Sequence, residues 1–258
     1  MRGNLHTHTV FCDGKDTPEE LVLYALEHGC DTIGFSGHSY VDIPDNLPFC
    51  MSAENTAAYR REVARLKDAY RGRIRILLGV EQDIFSPDGT DGYDYVIGSV
   101  HYILKDGEYL PVDKSERAQI EAVQRYYAGD FYGFVSDYYA LVGDLYEKTK
   151  CDIVGHFDLV TKFNEDGHLF DTRHPRYIAA AEGALQKLFL HGVTFEINSG
   201  AISRGYRTTP YPAPDLLQKI KAAGKPIIYT SDCHDKNNLL CGIPAEQADW
   251  YPERKKTV

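Results

Sequence analysis

The sequence lacks long apolar runs. None approaches the roughly 20 residues that a helix needs to cross a bilayer. The start of the chain, MRGNLHTHTVFCDG, contains no apolar segment of the kind found in secretory signals, so no signal peptide is expected. These features favour a cytoplasmic protein that does not bind a membrane.

Paired cysteines and basic runs are also missing. The six cysteines contain no C-x-x-C pair, and in a chain of 258 residues with cytosolic features we expect reduced thiols rather than disulfides. Cys12 and Cys233 each stand beside a candidate metal ligand, but small buried thiols explain both positions. The net charge is -10, and no lysine- or arginine-rich run precedes the terminal ERKK. Binding a nucleic-acid duplex requires a basic patch, so no such partner is expected.

Internal repeats, low-complexity stretches and Gly/Ser linkers are absent too. Instead, seven short apolar runs alternate with helical patterns. Near-continuous apolar strands favour a parallel sheet covered by helices, either as an α/β barrel or as an open doubly wound sheet. The predicted strands cover 3–8, 32–38, 74–82, 93–101, 151–156, 193–200 and 226–234. The predicted helices cover 17–29, 54–70, one or two segments within 115–149, 175–191 and 213–223.

Each predicted strand ends in polar side chains that include metal ligands. In a closed parallel barrel the carboxyl ends of all strands meet on one face, where such folds build their active sites. Six of the ten histidines lie at these ends. Unrelated buried histidines would each need a separate polar partner, so we predict one metal site instead, with Asp13 reaching it from the first loop. The strand-end residues are His6, His8, His38, Glu81, His101, His156, Glu196, Asn198, Asp232 and His234.

The remaining four histidines have a different setting. His28 and His191 each precede a glycine at a predicted helix C-terminus, where a cation complements the helix dipole. His168 and His174 fall in a loop region. We expect all four to be structural or exposed to solvent.

An ordered series of motifs carries a family resemblance. H-T-H with the following C-D-G, then G-H-S, G-V-E, G-S-V-H-Y, G-H-F-D and S-D-C-H, resembles the PHP family (polymerase and histidinol phosphatase domains). The resemblance extends from His6 to His234. It implies a distorted (β/α)7, TIM-like barrel that forms a single metal-dependent phosphoesterase domain over residues 1–258.

The resemblance also implies two or three divalent ions, zinc, manganese or iron. The first ion would be held by His6, His8, Glu81 and Asp232. The second would share Glu81 and add His101 and His156, and the third would use Asp13, His38 and His234. Some family members have histidine where this chain has Asp13, a difference that bears on the preferred third metal.

Within the family, the phrase G-S-V-H-Y, the chain length and NSGAISRG (198–205) are most similar to the stand-alone histidinol phosphatases of histidine biosynthesis. The expected reaction is hydrolysis of a small phosphate monoester, L-histidinol phosphate, by in-line attack of a hydroxide that bridges two ions. Two alternatives stay open. One is another small monoester or a nucleotide as substrate, and the other is a metal-binding regulatory module without turnover.

Cationic side chains are the candidates for binding the phosphate. Arg204 lies in a Gly/Ser-rich loop after the sixth strand, and its guanidinium offers a fork of donors. Lys162 follows the fifth strand, and Arg207 is a third candidate. The expected catalytic residues are Glu81, Asp232, His234 and Arg204.

Two further segments have open interpretations. Asp158 is either a carboxylate that orients a metal-binding imidazole or a solvated loop acid. The loop YVDIPDNLPF (40–49) either contributes acidic and aromatic contacts to the organic half of the substrate or is an ordinary lid or turn.

Overall fold

All seven predicted strands are present in the computed structural model, which describes residues 2–44 and 46–250. Each pairs in parallel with the next of the seven along the chain, and together they form a nearly closed barrel, which confirms the predicted fold class. The strands are β1 (Gly3–Asn4), β2 (Thr32–Phe35), β3 (Arg75–Asp83), β4 (Tyr95–Ser99), β7 (Ile153–Val154), β8 (Thr194–Asn198) and β9 (Ile227–Thr230).

Helices occupy the predicted intervals between the strands, and the interval from β3 to β4 is a loop, as the periodicity predicts. Within 115–149 there are three helices rather than the one or two expected, because Ala128 and Gly129 take positive φ angles of 51° and 86° that end the first of them. Asp130 then caps the next helix by accepting from the Tyr132 N–H. The helices are α1 (Pro18–Glu27), α2 (Ala53–Ala69), α3 (Glu116–Tyr127), α4 (Phe131–Gly143), α5 (Leu145–Thr149), α6 (Pro175–Phe189), α7 (Gly200–Ser203) and α8 (Pro214–Ala222).

An antiparallel hairpin that the sequence analysis missed lies between β4 and α3. Its strands are β5 (Tyr102–Lys105) and β6 (Glu108–Pro111). Asp106 and Gly107 join them with φ angles of 51° and 83°. An Asp-Gly pair is a strong hairpin signal, so this element was detectable from the sequence.

The seam between the first and last strands is closed by side chains together with backbone hydrogen bonds beyond the strands, such as that from the His8 N–H to the Cys233 carbonyl at 2.9 Å. Among the described residues β1 and β9 share no ladder, although Thr7 and Cys233 form one parallel bridge beyond them. Asn4 spans the seam by donating to Ser231 Oγ at 2.6 Å. Gln247 donates to the Gly3 carbonyl at 3.0 Å and accepts from the Tyr229 N–H at 2.8 Å. Polar side chains therefore take the place of a strand ladder between β1 and β9 at this seam.

Tyr95 fills the interior of the barrel near the amino ends of the strands. Its ring has room because Gly34 and Gly79 face it: a Cβ on Gly79 would lie 2.2 Å from the Tyr95 ring. Its hydroxyl donates to the carbonyls of Leu5 and Phe35. Within the described residues no helix is long and apolar enough to cross a membrane.

Candidate metal centre

The strand-end histidines and carboxylates converge at the carboxyl end of the barrel, beside a cavity of about 590 Å³. This volume falls within the range of about 300–1,000 Å³ that is usual for small-molecule sites. The nine residues predicted as ligands come from the ends of β1, β2, β3, β4, β7 and β9 and from the first loop. Each lies within 4 Å of at least one other member of the set: His6, His8, Asp13, His38, Glu81, His101, His156, Asp232 and His234.

Glu81, on β3, is the centre of the cluster. Its Oε2 lies 3.1 Å from His6 Nε2, 3.4 Å from His8 Nε2 and 3.0 Å from His38 Nδ1. Its Oε1 lies 2.9 Å from His156 Nε2 and 3.4 Å from His101 Nε2. One carboxylate therefore faces five imidazoles, the arrangement expected of a ligand shared between ions.

A first group joins His6 and His8 to Asp232. Asp232 Oδ1 lies 3.2 Å from His8 Nε2 and 3.6 Å from His6 Nε2. Asp232 has a left-handed backbone with φ 48°, and Gly200 packs so closely that a Cβ there would lie 2.6 Å from Asp232 Oδ2. The glycine of the NSG sequence thus leaves space for this carboxylate.

A second group surrounds Asp13 in the first loop. His234 Nε2 lies 3.1 Å from Asp13 Oδ2, and His38 Nε2 lies 3.6 Å from Asp13 Oδ1. His8 Nδ1 approaches the same oxygen at 3.7 Å. Ligand atoms of His8, Asp13, His38 and His234 all lie within 4.8 Å of one another, as do those of His38, Glu81 and His101. His8 and His38 therefore each belong to two of these groups of neighbouring ligand atoms, whereas the resemblance assigns each of them to a single ion.

Buried polar atoms without hydrogen bonds test whether this donor set fits cations. His6 Nε2, His8 Nε2, Asp13 Oδ1 and Glu81 Oε2 are all buried and make no hydrogen bond. A buried polar atom left unpaired costs about 1–3 kcal/mol, so four of them around one space require an explanation. Imidazole nitrogen and carboxylate oxygen suit zinc, iron and manganese. The residues present fit divalent metal ions.

The electrostatics of the cluster agree with this fit. Burial disfavours a charged His6, but the carboxylates of Glu196, Glu81 and Asp232 outweigh burial and raise the pKa of His6 well above its usual value. Burial, together with His234 and His38, lowers the pKa of His8 to about 3. Burial alone would raise the pKa of Glu81, yet His38 and His6 hold it well below the usual range. The carboxylates are thus ionised and need positive charge, which metal ions supply by displacing ligand protons.

Glu196 is a site residue whose role the sequence analysis did not assign, although it closes a predicted strand. Its Oε2 accepts from His6 Nδ1 at 2.8 Å and from the Thr230 hydroxyl at 2.8 Å. Its Oε1 accepts from the His156 N–H at 2.5 Å and from Asn198 Nδ2 at 2.8 Å. This carboxylate turns His6 so that Nε2 faces the cluster.

Asp83 plays the same part for His101. Its Oδ2 lies 2.9 Å from His101 Nδ1, leaving Nε2 directed at Glu81. Ser99 donates to Glu81 Oε1 at 2.7 Å and fixes the central carboxylate. Asp83 lies two residues after Glu81 on β3 and so points to the same face, a signal available from period-two spacing.

Asp158 does not orient an imidazole. It is fully buried rather than solvated, and its Oδ2 accepts from the Ala213 N–H at 2.9 Å. No hydrogen bond joins it to His156 in the described part of the chain. Neither interpretation from the sequence describes this residue.

The three candidate phosphate-binding cations have different surroundings. Arg204 lines the cavity, donates to Asp232 Oδ2 at 3.1 Å and lies 3.1 Å from His234 Nδ1. Lys162 also lines the cavity, but its ammonium donates to the backbone carbonyl and Oδ2 of Asp113. Arg207 does not line this cavity. It is buried and donates to Thr161 and Thr209.

The other predictions concern residues outside the cluster. His28 and His191 stack on Tyr24 and Tyr146 at helix ends, with ring centroids 3.9 and 4.0 Å apart. His168 is an exposed loop residue, whereas His174 caps α6. All six cysteines are free. From the loop 40–49, Val41, Asn46 and Phe49 line the cavity, and Asp45 lies outside the described residues.

A seven-stranded parallel barrel with a buried group of imidazoles and carboxylates at its carboxyl end is typical of metal-dependent hydrolases. Comparison with known proteins identifies the family. The model of the PHP domain matches residues 4–200. The chain therefore belongs to the PHP family.

A curated relative from Deinococcus radiodurans, named "Probable histidinol-phosphatase", is 32% identical over 247 residues, which cover 91% of this chain and 86% of that protein. Among solved structures, a histidinol phosphatase candidate from Listeria monocytogenes superposes with a TM-score of 0.76 at 19% identity, covering 93% of this chain and 97% of that one. A histidinol phosphate phosphatase from Lactococcus lactis, complexed with zinc, L-histidinol and phosphate, has a TM-score of 0.67 at 21% identity, covering 91% and 87%. At these identities the two structures establish the shared fold.

Proposed function

We propose that this protein is a metal-dependent phosphoric monoester hydrolase that converts L-histidinol phosphate to L-histidinol and phosphate. The observation that carries the proposal is the convergence of nine candidate metal ligands, five of them with a buried atom that makes no hydrogen bond, on one small-molecule cavity. The relative from Deinococcus radiodurans and the Lactococcus lactis phosphatase support the choice of substrate. We assign the reaction to histidine biosynthesis and the enzyme to the cytoplasm, as the sequence predicts.

We propose that two or three divalent ions, zinc, manganese or iron, occupy the cluster. Zinc is supported by its presence in the Lactococcus lactis structure. Bound divalent ions lower the pKa of water and neutralise phosphoryl oxygens. The ligands would be His6, His8, Asp13, His38, Glu81, His101, His156, Asp232 and His234.

The side chains around these ligands hold the site in shape and bind phosphate. Arg204 secures Asp232 and His234 with two contacts, and its guanidinium has five N–H donors in total. The remaining donors are available to phosphate oxygens, which makes Arg204 the principal phosphate-binding residue. Lys162 contributes positive charge from behind Asp113. Arg207 is committed to Thr161 and Thr209, so we do not assign it to the substrate.

The proposed catalytic domain extends over the whole chain. The family match ends at residue 200, but Asp232 and His234 lie beyond it. His234 contacts Asp13, and Asp232 contacts His6 and His8. A fragment that stopped at residue 200 would lose two of the nine ligands.

Metal analysis and a substrate panel test this proposal. Protein purified without chelators should contain at least two divalent ions per chain, and a strong chelator should abolish turnover. A panel of natural phosphate monoesters and nucleotides, with p-nitrophenyl phosphate as a general substrate, should show the highest kcat/KM for L-histidinol phosphate. A different preferred ester would replace the proposed substrate, and bound metal without turnover of any ester would indicate a regulatory module.

A further inference from the structure

The cavity lining contains carboxylates that differ in how many of their oxygens are already engaged. Asp13, Glu81 and Asp232 belong to the proposed metal cluster. An additional group of the substrate needs a carboxylate outside this set.

Two further lining carboxylates are fully engaged. Asp83 accepts from the Phe85 N–H through Oδ1 and from His101 through Oδ2. Asp235 accepts from the Asn237 N–H through Oδ1 and pairs with Lys15 through Oδ2 at 3.4 Å. Each of these four oxygens therefore already has a partner within the protein.

Asp113 has one engaged oxygen and one free. Lys162 donates to its Oδ2 at 3.2 Å and to its backbone carbonyl at 2.9 Å, which fixes the side chain from behind. In the described ranges 2–44 and 46–250 no donor reaches Oδ1. The side chain is 32% exposed and lines the cavity. The Lys162 ammonium, 3.2 Å from Oδ2, pairs with Asp113 as a carboxylate.

Lys162 is held in this role by its surroundings. Its side chain is 9% exposed, and its ammonium lies 4.8 Å from the centroid of the Tyr206 ring. A lysine confined between a carboxylate and an aromatic face has little freedom to reach a phosphate. Its main effect is to orient Asp113.

We infer that Oδ1 of Asp113 binds an ammonium group of the substrate and selects phosphate monoesters that carry a primary amine. The inference rests on the proposed function, because L-histidinol phosphate carries such an amine on the carbon adjacent to the one that bears the phosphate ester. An ammonium offers three N–H donors and is attracted to an ionised carboxylate, so the contact is a charge-assisted hydrogen bond. Asp113 is therefore a specificity residue that lines the same cavity as the proposed metal ligands without belonging to their set.

Asp113→Asn tests the inference with a matched pair of substrates. The pair is L-histidinol phosphate and its analogue in which hydrogen replaces the amine. The substitution keeps the shape and the Lys162 contact but removes the charge. We expect kcat/KM for the amine-bearing ester to fall about ten- to 150-fold, the effect of losing a charge-assisted hydrogen bond. For the amine-free analogue, kcat/KM of the variant should stay within about twofold of the wild-type kcat/KM.

Asp42→Asn is the matched control, because Asp42 lies in the neighbouring loop, accepts from the Tyr40 hydroxyl and does not line the cavity. Asp42→Asn should leave kcat/KM unchanged for both substrates. The wild type and the two variants should have the same metal content. If Asp113→Asn lowers kcat/KM equally for both substrates, or lowers it for neither, the inference is overturned while the proposed function stands. If the wild type hydrolyses p-nitrophenyl phosphate but neither member of the pair, the proposed substrate fails and the inference falls with it.

Discussion

At the carboxyl ends of the strands the barrel holds six imidazoles and several carboxylates, whereas toward the amino ends it holds a small apolar cluster. That cluster consists of Leu5, Leu77, Tyr95, Ile97, Ile153 and Ile228, with Trp250 packed against it. Trp250 meets the Tyr95 ring nearly at right angles with centroids 5.9 Å apart, and its indole N–H donates to Thr194 Oγ1 at 3.0 Å. The same strands therefore present polar side chains at their carboxyl ends and apolar side chains at their amino ends.

The difference shows how the protein separates function from stability. Buried charges without full compensation are costly, so the carboxyl end contributes little to folding by itself and depends on bound cations. The amino end buries apolar surface, which stabilises the folded state without a ligand. We therefore expect substitutions at the carboxyl end to affect metal binding and turnover. Substitutions at the amino end should affect the free energy of unfolding.

The largest effect on activity is expected at Glu81. Glu81→Ala removes the carboxylate that faces five imidazoles. We expect kcat/KM to fall by more than about a hundredfold, beyond the usual cost of losing a residue that only orients a ligand, and by more than in His38→Ala. Steady-state kinetics with elemental analysis measure this. His28→Ala and His191→Ala are the controls and should remain near wild type; an equal loss in His28→Ala would contradict the assignment of the site.

Arg204 should rank next. Arg204→Ala removes the fork that we assign to phosphate, a contribution of about 1.5–3 kcal/mol, so kcat/KM should fall roughly ten- to a few hundredfold. Arg204→Lys should recover only part of the kcat/KM lost in Arg204→Ala, because the lysine ammonium is a point charge in place of the planar fork of donors. Inorganic phosphate should inhibit the alanine variant less strongly than wild type. Wild-type kinetics and inhibition would show that Arg204 only supports Asp232 and His234.

Glu196 and Asp83 should affect metal affinity rather than the fold. Glu196→Gln and Asp83→Asn weaken the acceptors that orient His6 and His101. Each should lower metal affinity by about 10–100-fold, the usual range for residues behind a ligand. Metal titration followed by calorimetry or absorption of a cobalt-substituted protein reports this directly. Unchanged affinity in both variants would show that the imidazoles are positioned by the backbone alone.

The smallest effect on activity is expected at the amino end. Trp250→Ala should destabilise the protein by less than the about 3–5 kcal/mol typical of a fully buried tryptophan, because this side chain is only partly buried. Denaturant unfolding measures the loss. Metal content and kcat/KM of the folded protein should remain near wild type, and a decrease in metal affinity would show that the two ends are coupled.

Spacing and residue type were enough to place the candidate ligands at the strand ends and in the first loop, and the family resemblance selected nine of them. Parallel strands in a barrel bring their carboxyl ends together, so histidines at successive strand ends such as His101 and His156 must approach one another even though they are 55 positions apart in the numbering. The same reasoning sorted His28 and His191 away from the site. The Asp-Gly turn of the β5–β6 hairpin and the same-face position of Asp83 were also readable, and were missed.

What the order of residues determined by itself is therefore the seven strands, the helical segments and the polar residues at the strand ends, since each follows from local periodicity, whereas the closed barrel and the class of chemistry were implied by the resemblance to the PHP family. Only the tertiary structure decided which carboxylate supports which imidazole, that Arg207 is directed at Thr161, and that Asp113 keeps one oxygen free beside Lys162. The reason is physical. A backbone pattern fixes the face on which a side chain lies, but its hydrogen bonds depend on distances of a few ångströms between loops far apart in the chain, and no local pattern encodes those distances.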